Sequence, residues 1–114
     1  MAYIDLQSPV IASGASVSGV AGIGEKTLVG IVIPAAWTAA VITFQVSTDT
    51  VNYYELYDGA GNEVTLTVGA GQFIQIDPTK FRGINLFKLR SGTAASPVNQ
   101  ASAVTLTLVT RTIY

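Results

Sequence analysis

The chain has 114 residues, of which 49% are hydrophobic and 11% charged, with no His and no Cys; an ordinary soluble domain carries roughly a quarter of its residues charged. Without Cys there are no disulfides or thiolate metal sites, and without His the side chain that titrates nearest neutral pH is missing. A domain of this size buries only about two-thirds of the surface its unfolded chain exposes, so much of the apolar excess is left outside and association, as a dimer or trimer, is expected.

In chain order, Met1-Ala2-Tyr3-Ile4-Asp5 shows no basic stretch followed by an apolar core, so no secretory signal is visible. Val10 to Val20 is an Ala/Ser/Gly/Val tract that reads as an arm or an edge strand, closed by Gly22-Ile23-Gly24. Residues 1–24 are accordingly read as an N-terminal arm or edge strand and 25–114 as the β-sandwich, one domain overall, and Val10 to Gly24 is expected to order on a partner surface or a sister subunit. From Thr27 to Thr48 run twenty-two uncharged residues, enough to span a bilayer at ~20 residues. Pro34-Ala35-Ala36-Trp37 splits that run, and Ile42, Phe44 and Val46 alternate with Thr43, Gln45 and Ser47, the period of a half-buried strand. Strands are therefore expected at Thr27 to Ile33 and Val41 to Ser47, not a membrane helix.

Ser47 to Asn52 turns the chain into a strand at Tyr53 to Tyr57, and Asp58-Gly59-Ala60-Gly61-Asn62 is the strongest hairpin signal, because Asp, Gly and Asn all tolerate positive φ. Val64, Leu66 and Val68 alternate with Thr65 and Thr67 as a further strand. Gly69-Ala70-Gly71 turns into Gln72 to Ile76, Asp77-Pro78 starts another turn, and Ile84 to Ser91 and Ala103 to Ile113 supply the last two strands. In the final strand Val104, Leu106 and Leu108 share one face and Thr105, Thr107 and Arg111 the other, one dry and one wet. About eight strands and no helix give an all-β chain, a single antiparallel β-sandwich of jelly-roll type, with a closed barrel as the competing arrangement.

The charges are unevenly placed. Residues 1–77 hold seven acidic groups and Lys26, a net of −6, whereas residues 78–114 hold Lys80, Arg82, Lys88, Arg90 and Arg111 with no acid, a net of +5. Either copies pack acidic surface to basic surface, or neighbouring strands neutralise each other within one fold; the second is favoured because strands distant in sequence often sit side by side. Lys88 and Arg90, one strand period apart and alternating with Phe87 and Leu89, are expected to point outward together. Five basic residues in that segment and a pI near 5.0 make a poor electrostatic footprint for nucleic acid.

Catalytic and metal motifs fail on their residues. Gly19 to Thr27 approaches a phosphate-binding loop, but Glu25 stands between Gly and Lys and a β-branched strand follows where a helix is needed. With no His, acid–base chemistry would fall to Asp49, Glu55, Asp58, Glu63 or Asp77, most of them in turns where they cap backbone amides. Asp49, Asp58 and Asp77 could converge on a calcium ion, though nothing in their spacing demands it. No Ser-x-x-Lys appears. No enzyme and no cofactor is expected. Among the aromatics, Trp37, Tyr53 and Tyr57 are candidates for a partner surface with Lys88 and Arg90. Tyr53 and Tyr57 share a face opposite Tyr54 and Leu56, so one set should be exposed, and a Tyr pair beside Glu55 would suit a sugar or a protein.

Trp37-Thr38-Ala39-Ala40-Val41-Ile42-Thr43-Phe44-Gln45-Val46-Ser47-Thr48-Asp49, the later Tyr57-Asp58, the Asp77-Pro78 turn, and Phe87 to Thr93 through Pro97-Val98-Asn99-Gln100 resemble small virion proteins of tailed bacteriophages, over roughly residues 30 to 110. Many of these carry Gly where this chain has Thr50. The resemblance implies a β-sandwich or jelly roll in the virion that decorates or cements the capsid, with the major capsid protein and further copies of itself as partners, and it transfers no catalytic residue. A carbohydrate-binding module of a head or tail fibre is the alternative.

Overall fold

The computed structural model describes residues 4–112. Ten strands among them form an all-β, antiparallel structure: β1 (Ile4–Gln7), β2 (Val10–Ile11), β3 (Ala21–Gly22), β4 (Thr27–Val32), β5 (Ile42–Ser47), β6 (Tyr53–Glu55), β7 (Phe73–Gln75), β8 (Leu86–Ser91), β9 (Val104–Thr105) and β10 (Thr107–Arg111). A 3₁₀ turn, Pro78–Phe81, is started by Asp77, whose carboxylate accepts the Thr79 amide. No helix of the described residues is long and apolar enough to cross a membrane. Met1 to Tyr3 and Ile113, included in the sequence expectations, lie outside the described residues.

Two four-stranded sheets, ordered β1-β10-β4-β7 and β3-β8-β5-β6, face each other, and β2 pairs with β9 between them. Ser8 and Pro9 separate β1 from β2, and Leu106 alone separates β9 from β10. Pro9 has no N–H to give a ladder, while its carbonyl accepts the Leu106 amide at 3.0 Å, so both strands bend together at this point. Taken as one strand each, the broken pairs give eight strands in the orders 1-8-3-6 and 2-7-4-5.

The core is filled from both sheets. Leu28, Ile31, Leu106 and Leu108 meet Ile42, Phe44, Phe87 and Leu89, all buried. Phe44 is central, with Phe81 edge-on at 5.1 Å and Phe87 at 6.0 Å between ring centroids, and each such fully buried aromatic contributes about 1.5–3 kcal/mol. In β4, strict alternation would put Leu28 and Ile31 on opposite faces. The register instead shifts, Val109 facing Gly30 and Thr110 facing Leu28, and the extra residue, Val29, rephases the strand so that both point inward.

Residues 10–24 are not a detached arm. Ile11, Ala21 and Ile23 are buried in the core, the Ser18 amide donates to Leu89 O at 2.8 Å, and Ser91 N donates to Ser16 O at 2.7 Å. Of the two readings of this segment, the strand is the one the fold carries: β2 and β3 belong to its sheets and share the core. Gln100, fully buried, ties its own loop and that of Thr38 to the end of β8: its Nε2 donates to Thr38 O and Ser91 Oγ while its Oε1 accepts the Thr38 amide. The strand expected at Val64 to Val68 is reduced to one bridge, Leu66 against Ile42.

The β5–β6 turn is held by Asp49, whose Oδ1 accepts the amides of Val51 and Asn52, both at 2.8 Å. These bonds hold its carboxyl down to about 2; the stability they contribute is present above the ordinary aspartate range and is lost as pH falls toward 2. Thr50 takes φ +65°, the left-handed region that costs an L-residue roughly 1–2 kcal/mol. Thr50→Gly should therefore raise stability by about 0.5–1 kcal/mol after the added freedom of the unfolded chain is subtracted. Chemical denaturation checks this, with the midpoint expected to move to higher denaturant.

Candidate functional site

The outward face of β8-β5-β6 is built in rows set by the register: Leu86, Ser47 and Tyr53; then Lys88, Gln45 and Glu55; then Arg90 and Thr43. Strand alternation does place Lys88 and Arg90 on one face, as the sequence suggested. Their environments differ. Arg90 is 4% exposed, because the segment after β6 folds back over its end of the sheet. The expectation that it points into solvent is corrected: alternation fixes which face a side chain takes, not what lies on top of that face.

Each nitrogen of the Arg90 guanidinium donates to a side-chain oxygen. Nε donates to Thr43 Oγ1 at 3.0 Å, one terminal nitrogen to Glu55 Oε1 at 3.0 Å, and the other to Glu55 Oε2 and to Glu63 Oε2, the latter at 2.8 Å. Glu55 comes from β6, and Glu63 from the far side of the Tyr57–Glu63 hairpin. Gln45 Nε2 supports Glu55 at 3.1 Å, and Glu63 also accepts the Ala94 amide. The pairing holds the Glu55 carboxyl below its ordinary range, chiefly through the hydrogen bonds from Arg90, and pushes the Arg90 guanidinium up. Acidic and basic halves of the sequence thus neutralise each other inside one fold at this point.

The hairpin tip is stiffened separately. Asp58 Oδ1 accepts the Ala60 and Asn62 amides at 2.9 and 3.0 Å, which lowers its carboxyl, and Gly61 takes the positive φ of +86° that the turn requires. Asp49, Asp58 and Asp77 each cap their own turn, and no group of three His, Cys, Asp or Glu able to hold a metal ion is found among the described residues.

On this scaffold the aromatic residues are sorted. Trp37, 6% exposed, belongs to the core, its Nε1 donating to Ala40 O at 3.3 Å; it is corrected from a surface candidate to a packing residue. Tyr53 is half-buried with Lys88 Nζ 4.3 Å from its ring centroid. Tyr57 is 54% exposed and Tyr54 63%, whereas Leu56 packs against the core. Neither pair separates cleanly into an exposed and a buried set, because pairing changes after Glu55 and the hairpin begins. Val51, 78% exposed, completes the group. Three of the eight large exposed hydrophobics of the described residues thus lie between positions 51 and 57, at β6, which is an edge strand. Tyr54 was placed from sequence only as one of two opposed sets, and Val51 was not singled out; its signal was its place in the turn before an edge strand.

No family model, curated protein or solved structure matches the chain.

Removing Arg90 leaves two carboxylates facing each other, so Arg90→Met should cost about 2–4 kcal/mol, reduced from the fully buried case because Glu55 keeps a third of its side-chain exposure. The sign of the pH response should also change. In the native chain Glu55 is held low, so its contribution exists above the ordinary glutamate range and is lost on acidification; in the variant the paired carboxylates favour protonation, and acidification from pH 7 toward 4 should recover stability. Thermal unfolding of both proteins across that range reads the two slopes.

The Tyr53 hydroxyl is buried with no hydrogen-bond partner among the described residues. Tyr53→Phe should leave stability unchanged or raise it by up to about 1 kcal/mol, measured by urea unfolding, while Lys88 keeps its ring.

Proposed function

We propose that this chain is a structural protein of a tailed-bacteriophage virion, a capsid decoration or cement protein that bridges neighbouring major capsid subunits through the edge of β6 and the Tyr57–Glu63 hairpin. The observation that carries the reading is that Val51, Tyr54 and Tyr57 are all exposed within or beside the edge strand β6 in a chain with 11% charged residues. Tyr is enriched at interface cores, and an edge strand offers backbone groups to a partner. Two antiparallel four-stranded sheets with orders 1-8-3-6 and 2-7-4-5 support reading the sandwich as a jelly roll, the architecture the resemblance to small virion proteins implies. The role is passive rather than catalytic: each copy buries apolar surface across a joint of the shell, and many copies together multiply modest contacts. Lys88, half-exposed above Tyr53, supplies a positive charge for acidic partner surface. Copies of the chain associate as dimers or trimers in the same reading, and the location is the virion.

The test adds purified protein to shells that lack it. Wild type should occupy them, raise their rupture temperature and detach as salt increases. Tyr54→Ala with Tyr57→Ala should lower affinity about tenfold or more, and Lys88→Glu should remove most of the salt dependence at a cost of about 0–1 kcal/mol per copy. Full occupancy by the double Tyr variant would show that another surface meets the shell. Equal rupture temperatures with and without the wild-type protein would refute cementing.

A further inference from the structure

The opposite sheet carries a separate feature. On the outward face of β10-β4-β7 lies a groove of about 650 Å³, lined by Val29, Phe73, Gln75, Pro78 and Arg111 among others. That volume falls within the range of small-molecule sites. Its floor is set by two departures from regular sheet geometry. The extra residue Val29 in β4 turns its side chain toward the groove. Gly30, opposite Gln75 in the register, leaves bare backbone on which the Phe73 ring lies: a Cβ at position 30 would stand 2.5 Å from Phe73 Cζ and 2.8 Å from Cε1. One side of the ring is therefore against the sheet, while Phe73 as a whole remains 60% exposed. The result is a flat apolar surface fixed in place by a glycine.

The polar groups around that surface are complementary to one kind of ligand. Gln75, two residues from Phe73 on the same face and exposed, offers amide donors and an acceptor suited to hydroxyl groups. Arg111 is exposed, its guanidinium makes no hydrogen bond or ion pair among the described residues, and it presents a planar fork that matches a carboxylate in bidentate fashion. A pyranose bearing a carboxylate has all three features in one rigid body: a C–H face for the ring, hydroxyls for the amide and an acid for the guanidinium. An acidic peptide side chain would satisfy Arg111 but offers no flat face for Phe73. We propose that this groove is a binding site for an acidic sugar of the uronic-acid class. The proposal does not rest on the capsid reading, since β6 and its Tyr residues belong to the other sheet.

The experiment is a titration of the ¹⁵N-labelled full chain with D-galacturonic acid, with D-galactose as the neutral control and sodium acetate as the control for a carboxylate alone. Galacturonic acid should shift the amides of Gly30, Phe73 to Gln75 and Arg111 with a dissociation constant on the order of 1 mM. Galactose should bind the same place about tenfold more weakly. Arg111→Gln should abolish the difference between the two sugars, and Phe73→Ala should abolish binding of both while amide dispersion is retained. Gly30→Ala, which displaces the ring without removing it, should weaken both sugars as well. Equal shifts with galactose and galacturonic acid in the wild type would overturn the role of Arg111. Shifts reproduced by acetate alone, shifts centred elsewhere, or no shifts at all would overturn the site.

Discussion

The β6 side of the molecule depends on one buried cation. A guanidinium withdrawn from water costs several kcal/mol unless it is paired and fully hydrogen-bonded, and Arg90 meets that requirement with two carboxylates and a hydroxyl that are far apart in sequence. Satisfying it dictates geometry. Glu55 must lie beside β5 in register with Gln45, and the chain must return through the Asp58 hairpin so that Glu63 reaches the same nitrogen. Once those two carboxylates are placed, the positions of Tyr54, Tyr57 and the β5–β6 turn follow, and Lys88 is left as the half-exposed cation of that face.

The two sheets put their outward faces to different uses. Over β8-β5-β6 the polar residues are turned into an interior: Thr43, Ser47 and Arg90 are all buried and make their hydrogen bonds to one another, to the carboxylates of Glu55, Glu63 and Asp49, and to nearby backbone. Over β10-β4-β7 the outward face stays open, and a bulge with a glycine shapes it where side-chain packing would otherwise close it. The capsid role proposed for β6 and the sugar site proposed on the other sheet can therefore operate on one molecule without competing for surface.

Much of the sandwich was legible because alternation survives wherever one face is dry. Ile42, Phe44 and Val46, and Val104, Leu106 and Leu108, follow the two-residue period, and Asp58 to Asn62 makes the hairpin its residue types demand. Other features were not legible for physical reasons. Leu28, Val29, Gly30 and Ile31 do not reveal which residue bulges, since that depends on the partner strand's register. Leu106 bears no sign that the strand changes sheet there; the partner residue that breaks the ladder, Pro9, lies far away in sequence. The Ala/Ser/Gly tract before residue 24 looks like an arm because, apart from Ile11, Ala21 and Ile23, it is held by backbone hydrogen bonds to β8 and Gln100, which composition does not record. Arg90 was assigned to the correct face and the wrong environment for the same reason: the cover over it, Glu63 and its hairpin, is a tertiary matter. Thr50 bears no sign in its residue type of the positive φ it takes, which follows from the geometry of the turn around Asp49.

Scarcity of charge links fold and proposed role. A chain with thirteen charged groups, six basic and seven acidic, that commits three of them to one internal cluster has few left to solvate its surface, and exposed Val51, Tyr54 and Tyr57 are then surfaces in want of a partner. The central claim is that the β6 edge, held by the Arg90 cluster, is the face that meets the capsid. Electron cryomicroscopy of shells carrying the protein tests it most directly: the account predicts density that seats β6 and the Tyr57–Glu63 hairpin on the capsid surface, with the outward face of β10-β4-β7 turned to solvent. Density that seats the molecule by that opposite sheet, or shells with no bound copy at saturating protein, would contradict it.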